Sequence, residues 1–220
     1  MIATLAKALS RIADLGGPVV LILGALSVLV LTVVLYKLWQ FAAARVGSHR
    51  ALQEAVAAWD AGDGAKAGAA LQRSRSYLRP VIEMALSGQA DPARLEAEAE
   101  ARFARLESGF RLLDSVAQLA PLLGLFGTVL GMISAFQALQ EAGAQVDPSI
   151  LAGGIWVALL TTAVGLAVAM PTALVLSWLE ARMDGERVFA QRALRTILAP
   201  AGPAVDRSAL SQSEAQPTHA

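Results

Sequence analysis

The stretch Ala120–Leu139, APLLGLFGTVLGMISAFQAL, carries no charge and places Gly124, Gly127 and Gly131 on a single helical segment with Thr128 among them. It is long enough to cross a bilayer, which takes about 20 apolar residues. Glycine is a poor helix former and contributes no bulk to a lipid-facing surface. Its repetition therefore needs a reason other than hydrophobicity.

The rest of the chain sets the frame. Of its 220 residues 55% are hydrophobic and only 16% charged, against roughly a quarter charged in a soluble domain. Three runs lack Asp, Glu, Lys and Arg altogether: Leu15–Tyr36, Ser115–Gln140 and Pro148–Leu179. The first has too long an apolar core for a signal peptide and continues as KLWQF, so it reads as a retained helix. The fold class that follows is all-α, a polytopic membrane protein with three transmembrane helices. The second and third are expected to extend into the cytoplasm.

Composition also excludes functions. The formal net charge is zero, so nucleic acid is not an expected partner. There is no cysteine, and His49 and His219 lie far apart. No nucleophile–base pair, metal cluster or phosphate loop stands at useful spacing, so neither an enzyme nor a cofactor is expected.

The expected organisation is an N-terminal segment 1–14, a first span 15–37, a cytoplasmic helical region 38–111, a second span 112–140, a hairpin 141–148, a third span 149–180, a helical extension 181–200 and a disordered tail 201–220. Segment 1–14 reads either as an amphipathic surface helix or as the start of the first span. Eleven Lys/Arg lie between Lys37 and Arg111 and five follow the third span, whereas the hairpin has none. The basic loop and the C-terminus should therefore be cytoplasmic, and the N-terminus and hairpin outside. In the loop, FAAARVGSHRALQEAVAAWDAGD reads as one helix and AKAGAALQRSRSYLRPVIEMAL as another, bent at Pro80. Asp91 and Pro92 suit an N-cap and a first helical position. From there one long helix is expected to run into the second span.

Helix positions i, i+3, i+4 and i+7 share a face. In the second span Gly124, Gly127, Thr128, Gly131 and Ala135 fit that rule. In the third, LLTTAVGLAVAMPTAL, the stripe is Ala158, Thr162, Gly165 and Ala169, with Thr161 beside it and Pro171 expected to loosen the helix. Such stripes serve close helix packing or a polar lumen, and both can hold together.

These residues resemble the ExbB/TolQ/MotA proton-channel family, and more its ExbB/TolQ branch. The run at 120–129, the Thr-Ala-Val-Gly-Leu run at 162–166 and Pro171 carry the likeness. The resemblance implies a subunit of the bacterial inner membrane, a homopentamer around an ExbD/TolR-like single-span partner that holds a membrane aspartate. It implies that Thr128 and Thr162, with Thr161 beside them, line the proton pathway, and that the small residues Gly124, Gly127, Gly131 and Gly165, with Pro171, form the packed pore wall. The work done would be uptake, envelope constriction, motility or secretion.

One position departs from the family. ExbB and TolQ chains typically carry a glutamate five residues before the third-span threonine, where this chain has Val157, next to Trp156. Glu141 and Asp147 in the hairpin either replace that carboxylate electrostatically or simply solvate the loop. Asp114 and Gln118 mark a proton exit, or Asp114 pairs with Arg111 or a neighbouring subunit. The alternative to a channel is a non-conducting scaffold that binds a single-span partner.

Overall fold

Apolar runs bounded by glycine and proline build this chain from helices alone among the described residues. The computed structural model describes residues 2–88, 90–142 and 148–202, with side chains from Gly17 onward except at 142 and 150. The helices are α1 (Ile2–Ala43), α2 (Arg50–Asp60), α3 (Gly64–Arg73), α4 (Arg79–Ser87), α5 (Pro92–Glu107), α6 (Phe110–Ala142) and α7 (Pro148–Leu198). Segments Gly17–Ala43, Phe110–Glu141 and Leu151–Leu198 are each long and apolar enough to cross a membrane.

The chain divides into two units, Met1–Tyr36 with Gly109–Trp178 and Lys37–Ser108 with Leu179–Ala220. In the first, α1 is kinked at Gly17, whose φ of 66° and ψ of −170° are non-helical. The residue before a proline is pushed out of the α region, and Pro18 follows here. Glycine alone takes that backbone without strain. Helix is present on both sides of the kink, but the side chains of the 1–14 segment lie outside the described residues, as does the tail beyond Gly202.

The second unit is a small helical domain. Leu52, Leu78, Ile82, Leu95 and Phe103 are buried at its centre, with Leu179 and Met183 of α7. Each large side chain so buried contributes about 1.5–3 kcal/mol. Asp63 caps α3 by accepting from the Lys66 N–H at 2.9 Å, and Gly88 ends α4 in the left-handed region. Lys37 is buried, and its ammonium donates to Gln40 Oε1 (2.7 Å), the Leu106 carbonyl (3.1 Å) and Ser108 Oγ (3.3 Å). Those bonds satisfy the donors that burial takes from water.

The loop helices are shorter than the sequence reading. A turn at residues 44–49 separates α1 from α2, and residues 74–78 separate α3 from α4. Pro80 sits in the first turn of α4, where its missing N–H costs nothing, rather than bending a longer helix. Asp91 is the N-cap residue of α5 and Pro92 its first position, although the Asp91 side chain makes no capping bond. The single long helix is also interrupted: α5 stops at Glu107, Gly109 has a φ of 92°, and α6 starts at Phe110.

One polar cluster sits inside the second unit. Glu186 of α7 is 3% exposed. It accepts from His49 Nε2 at 2.8 Å and from the Tyr77 hydroxyl at 2.7 Å. His49 stacks on Phe189 at 4.2 Å. Burial alone would raise the Glu186 carboxyl, but the bonds from His49 and Tyr77 hold it below its ordinary value. Burial, and then the bond to Glu186, push the Tyr77 hydroxyl far up. A carboxyl depressed in the folded state stabilises above its unfolded value and loses that contribution as pH falls through the folded one. Glu186→Gln, which leaves the His49 and Tyr77 donors a weaker, uncharged acceptor, should cost about 1–3 kcal/mol at neutral pH. In acid unfolding series its deficit against the unaltered chain should shrink only below pH 4.5, the ordinary value for this group.

Candidate functional site: the glycine–threonine seam of α6 and α7

The two helices approach where the sequence has least bulk. A Cβ built on Gly124 would lie 2.9 Å from the Thr161 carbonyl oxygen and 3.1 Å from Thr162 Cα. One on Gly127 would lie 2.7 Å from Thr161 Oγ1, and one on Gly165 2.6 Å from the Ala120 carbonyl oxygen. Gly131 faces Ala158, with 3.2 Å between the would-be Cβ and the Ala158 Cβ, and Gly154 would strike Ala135. Ascending numbers on α6 thus meet descending numbers on α7, so the pair is antiparallel. Bilayer lipid provides no hydrophobic drive for helices to associate, and contact must come from close packing and polar bonds.

Thr161 makes the polar bond. It is 1% exposed. Its Oγ1 lies 2.7 Å from the Ala158 carbonyl of its own helix and 3.1 Å from the Gly124 carbonyl of α6. A hydroxyl has one proton, so it serves one carbonyl at a time and stays within reach of the other. The contact row on α7 is therefore Gly154, Ala158, Thr161 and Gly165. This corrects the expected stripe through Thr162, and it corrects the expected place of Thr161 beside that stripe, because helix–helix contact takes up the Thr161 hydroxyl within the chain.

Thr128 and Thr162 flank this seam. Both are half-buried. The Thr128 hydroxyl donates to the Leu125 carbonyl at 2.6 Å. The Thr162 hydroxyl makes no hydrogen bond among the described residues. Thr128 follows Gly127, which abuts Thr161, and Thr162 follows Thr161, so the two hydroxyl-bearing residues lie within about one helical turn in depth.

The remaining candidates spread along the helices. Asp114 is exposed and accepts from Gln118 Nε2 at 2.7 Å, a pairing one turn apart; of the alternatives above, an ion pair with Arg111 is not seen among the described residues. Glu141 is exposed at the end of α6, and Asp147 lies outside the described residues. Pro171 is exposed and α7 continues through it without a break. Val157 is half-buried and lines a groove of about 330 Å³ with Gly17, Gly127, Ser134 and Gly153. The outer surface is apolar, with Leu122, Phe126, Leu159 and Leu174 all more than half exposed. Sequence reasoning missed the Gly17 kink, for which the Gly-Gly-Pro run at 16–18 was the available signal.

The model for the MotA/TolQ/ExbB proton channel family matches residues 69–191, more than half of the chain and all of the seam. The chain belongs to that family. It is similar to the biopolymer transport protein exbB1 of Vibrio cholerae, with 45% identity over 67 residues, 30% of this chain and 29% of that one. It is similar to a putative biopolymer transport protein, ExbB-like 1, of Synechocystis, with 45% identity over 78 residues, 34% of this chain and 31% of that one. The Tol-Pal system protein TolQ of Haemophilus influenzae is 40% identical over 79 residues, 36% of this chain and 34% of that one. The matched stretches thus span about a third of the length of these relatives.

The seam makes a graded prediction about its glycines. Gly165→Ala should destabilise the detergent-solubilised protein by about 1–3 kcal/mol, because the new methyl meets backbone. Gly153→Ala has nothing within 4 Å. It should be neutral or slightly stabilising, by up to about 1 kcal/mol, through helix propensity. Thermal unfolding of the two variants checks both signs.

Proposed function

We propose that the chain is a proton-channel subunit of the inner membrane that assembles as five copies around an ExbD/TolR-like single-span partner and couples the proton motive force to mechanical work in the envelope. The observation that carries this reading is a family match that spans a seam with two half-buried threonines at its edge. The partner would bring an aspartate to the level of Thr128 and Thr162. In low dielectric a charged carboxylate is costly and the neutral form is favoured. A hydroxyl donates to a carboxylate and accepts from a carboxylic acid. A threonine ring therefore accommodates both states. Lys or Arg at those positions would hold the aspartate charged and stop the cycle.

In this reading Thr161 closes the wall and Thr162 and Thr128 face the partner. Asp114 with Gln118 would then lie toward the cytoplasmic end of α6 and Glu141 at its outer end, with Asp147 following in the hairpin sequence. The balance of basic residues supports a topology with the hairpin and the N-terminus outside and the C-terminus in the cytoplasm. Val157, where ExbB and TolQ chains typically have glutamate, favours a second reading, a scaffold that holds a partner helix without conducting.

Thr162→Val keeps the shape and removes the hydroxyl. The chain co-reconstituted with its single-span partner should lose proton flux to the level of protein-free vesicles in this variant, while Thr162→Ser retains it. The native mass of both complexes should correspond to five chains and two partners. Intact rings with unchanged flux in Thr162→Val would favour the scaffold.

A further inference from the structure

We infer that the second unit carries a phosphate-binding groove beside the end of α1 and that it holds the headgroup of an anionic lipid. The groove has a volume of about 330 Å³ and is lined by four arginines, Arg45, Arg50, Arg73 and Arg75, with one acid, Glu54. Glu54 pairs with Arg73 at 3.0 Å and reaches Arg50 at 3.5 Å. The guanidinium groups of Arg45 and Arg75 have no ion pair or hydrogen bond among the described residues. Like charges gathered at one concavity repel each other, and a bound anion relieves that repulsion.

Two further observations point to a ligand. Arg45 has a φ of 52°. It ends α1 in the left-handed region, within a turn closed by Val46 N–H to the Phe41 carbonyl at 3.1 Å. Glycine is the favoured residue at such a terminus. An arginine there carries backbone strain that glycine would avoid, and what it adds is a guanidinium at the groove. The second observation comes from Ser74 and Ser76, which are 3% and 5% exposed and line the same groove. Each hydroxyl oxygen accepts a backbone N–H, from Ser76 and Leu78 respectively, at 3.3 Å. Neither donates its own hydrogen among the described residues. Two buried hydroxyl donors and two unpaired guanidinium forks are the donor set that a phosphate takes.

Lipid is the source that the position favours. Arg45 comes two residues after α1 ends at Ala43, close behind the first span and its flanking Trp39, the level at which headgroups lie. Basic pockets next to spans bind anionic headgroups. The inference does not depend on proton conduction or on which side of the membrane the unit lies.

The test uses the full chain in nanodiscs of zwitterionic lipid, with short-chain phosphatidylglycerol and inorganic phosphate as separate probes. Arg45→Asn with Arg75→Gln removes the two unpaired guanidiniums at exposed positions, and asparagine tolerates the left-handed backbone. The control, Lys66→Gln with Arg94→Gln, removes the same charge away from the groove. The unaltered chain should bind phosphatidylglycerol in a salt-sensitive way, about 25-fold more tightly than the groove variant, at roughly fivefold per arginine. The control should bind as the unaltered chain does. Binding of inorganic phosphate without the lipid would overturn the lipid assignment. Equal binding by the groove and control variants, or no binding of either probe, would overturn the site.

Discussion

The contact between α6 and α7 is the constraint on which the rest of the membrane unit depends. Where Gly124, Gly127 and Gly165 lie, a methyl group would come within 3 Å of the facing helix. Thr161 sits in the gap with its hydroxyl between two carbonyls. In a bilayer this combination of contact and polar bond replaces the hydrophobic effect that would join the same helices in water. Because the seam is closed by residues this small, the large apolar side chains of both helices are displaced to the outer surface. The residues left at the edge of the seam, Thr128 and Thr162, bring hydroxyls rather than charges.

The second unit is held by different means. Its core is an ordinary apolar cluster around Phe103, Leu95 and Ile82. Its directional bonds involve groups that are costly to bury, namely Lys37 and the set of Glu186, His49 and Tyr77. Each is satisfied by partners distant in sequence. Breaking one strands a polar group without water, so these bonds fix which segments pack together more than they add net stability. Arg187 adds a shorter tie, pairing with Glu107 at 2.7 Å and stacking over the Phe103 ring at 5.5 Å.

Much of this was legible in the sequence, for identifiable reasons. Uncharged runs of more than 20 residues have few structural uses other than crossing a membrane, and the glycine spacing identified α6 as a packing helix. The sequence could not decide between Thr161 and Thr162. Adjacent helical residues point about 100° apart, and only the partner helix determines which of them is buried. The breaks at 44–49, 74–78 and 108–109 were missed because Ala, Leu, Arg and Glu on either side propagate helix well, while the stops rest on a left-handed Arg45, on serine–backbone bonds at Ser74 and Ser76, and on Gly109. The Glu186 cluster was invisible because its members are 137 and 109 residues apart.

Thr161 seals the seam, and Thr128 and Thr162 are proposed to stand on a wet, polar surface of the assembled protein. The chain has no cysteine, so single substitutions Thr128→Cys, Thr161→Cys, Thr162→Cys and Leu159→Cys can be probed without background. The deciding measurement is their labelling by a small, water-soluble thiol reagent in native membranes, with the partner present. Labelling at 128 and 162 but not at 161 or at the exposed apolar position 159 is the predicted result. Labelling at 161 as fast as at 162, or at neither 128 nor 162, would contradict it and return the stripe to packing alone.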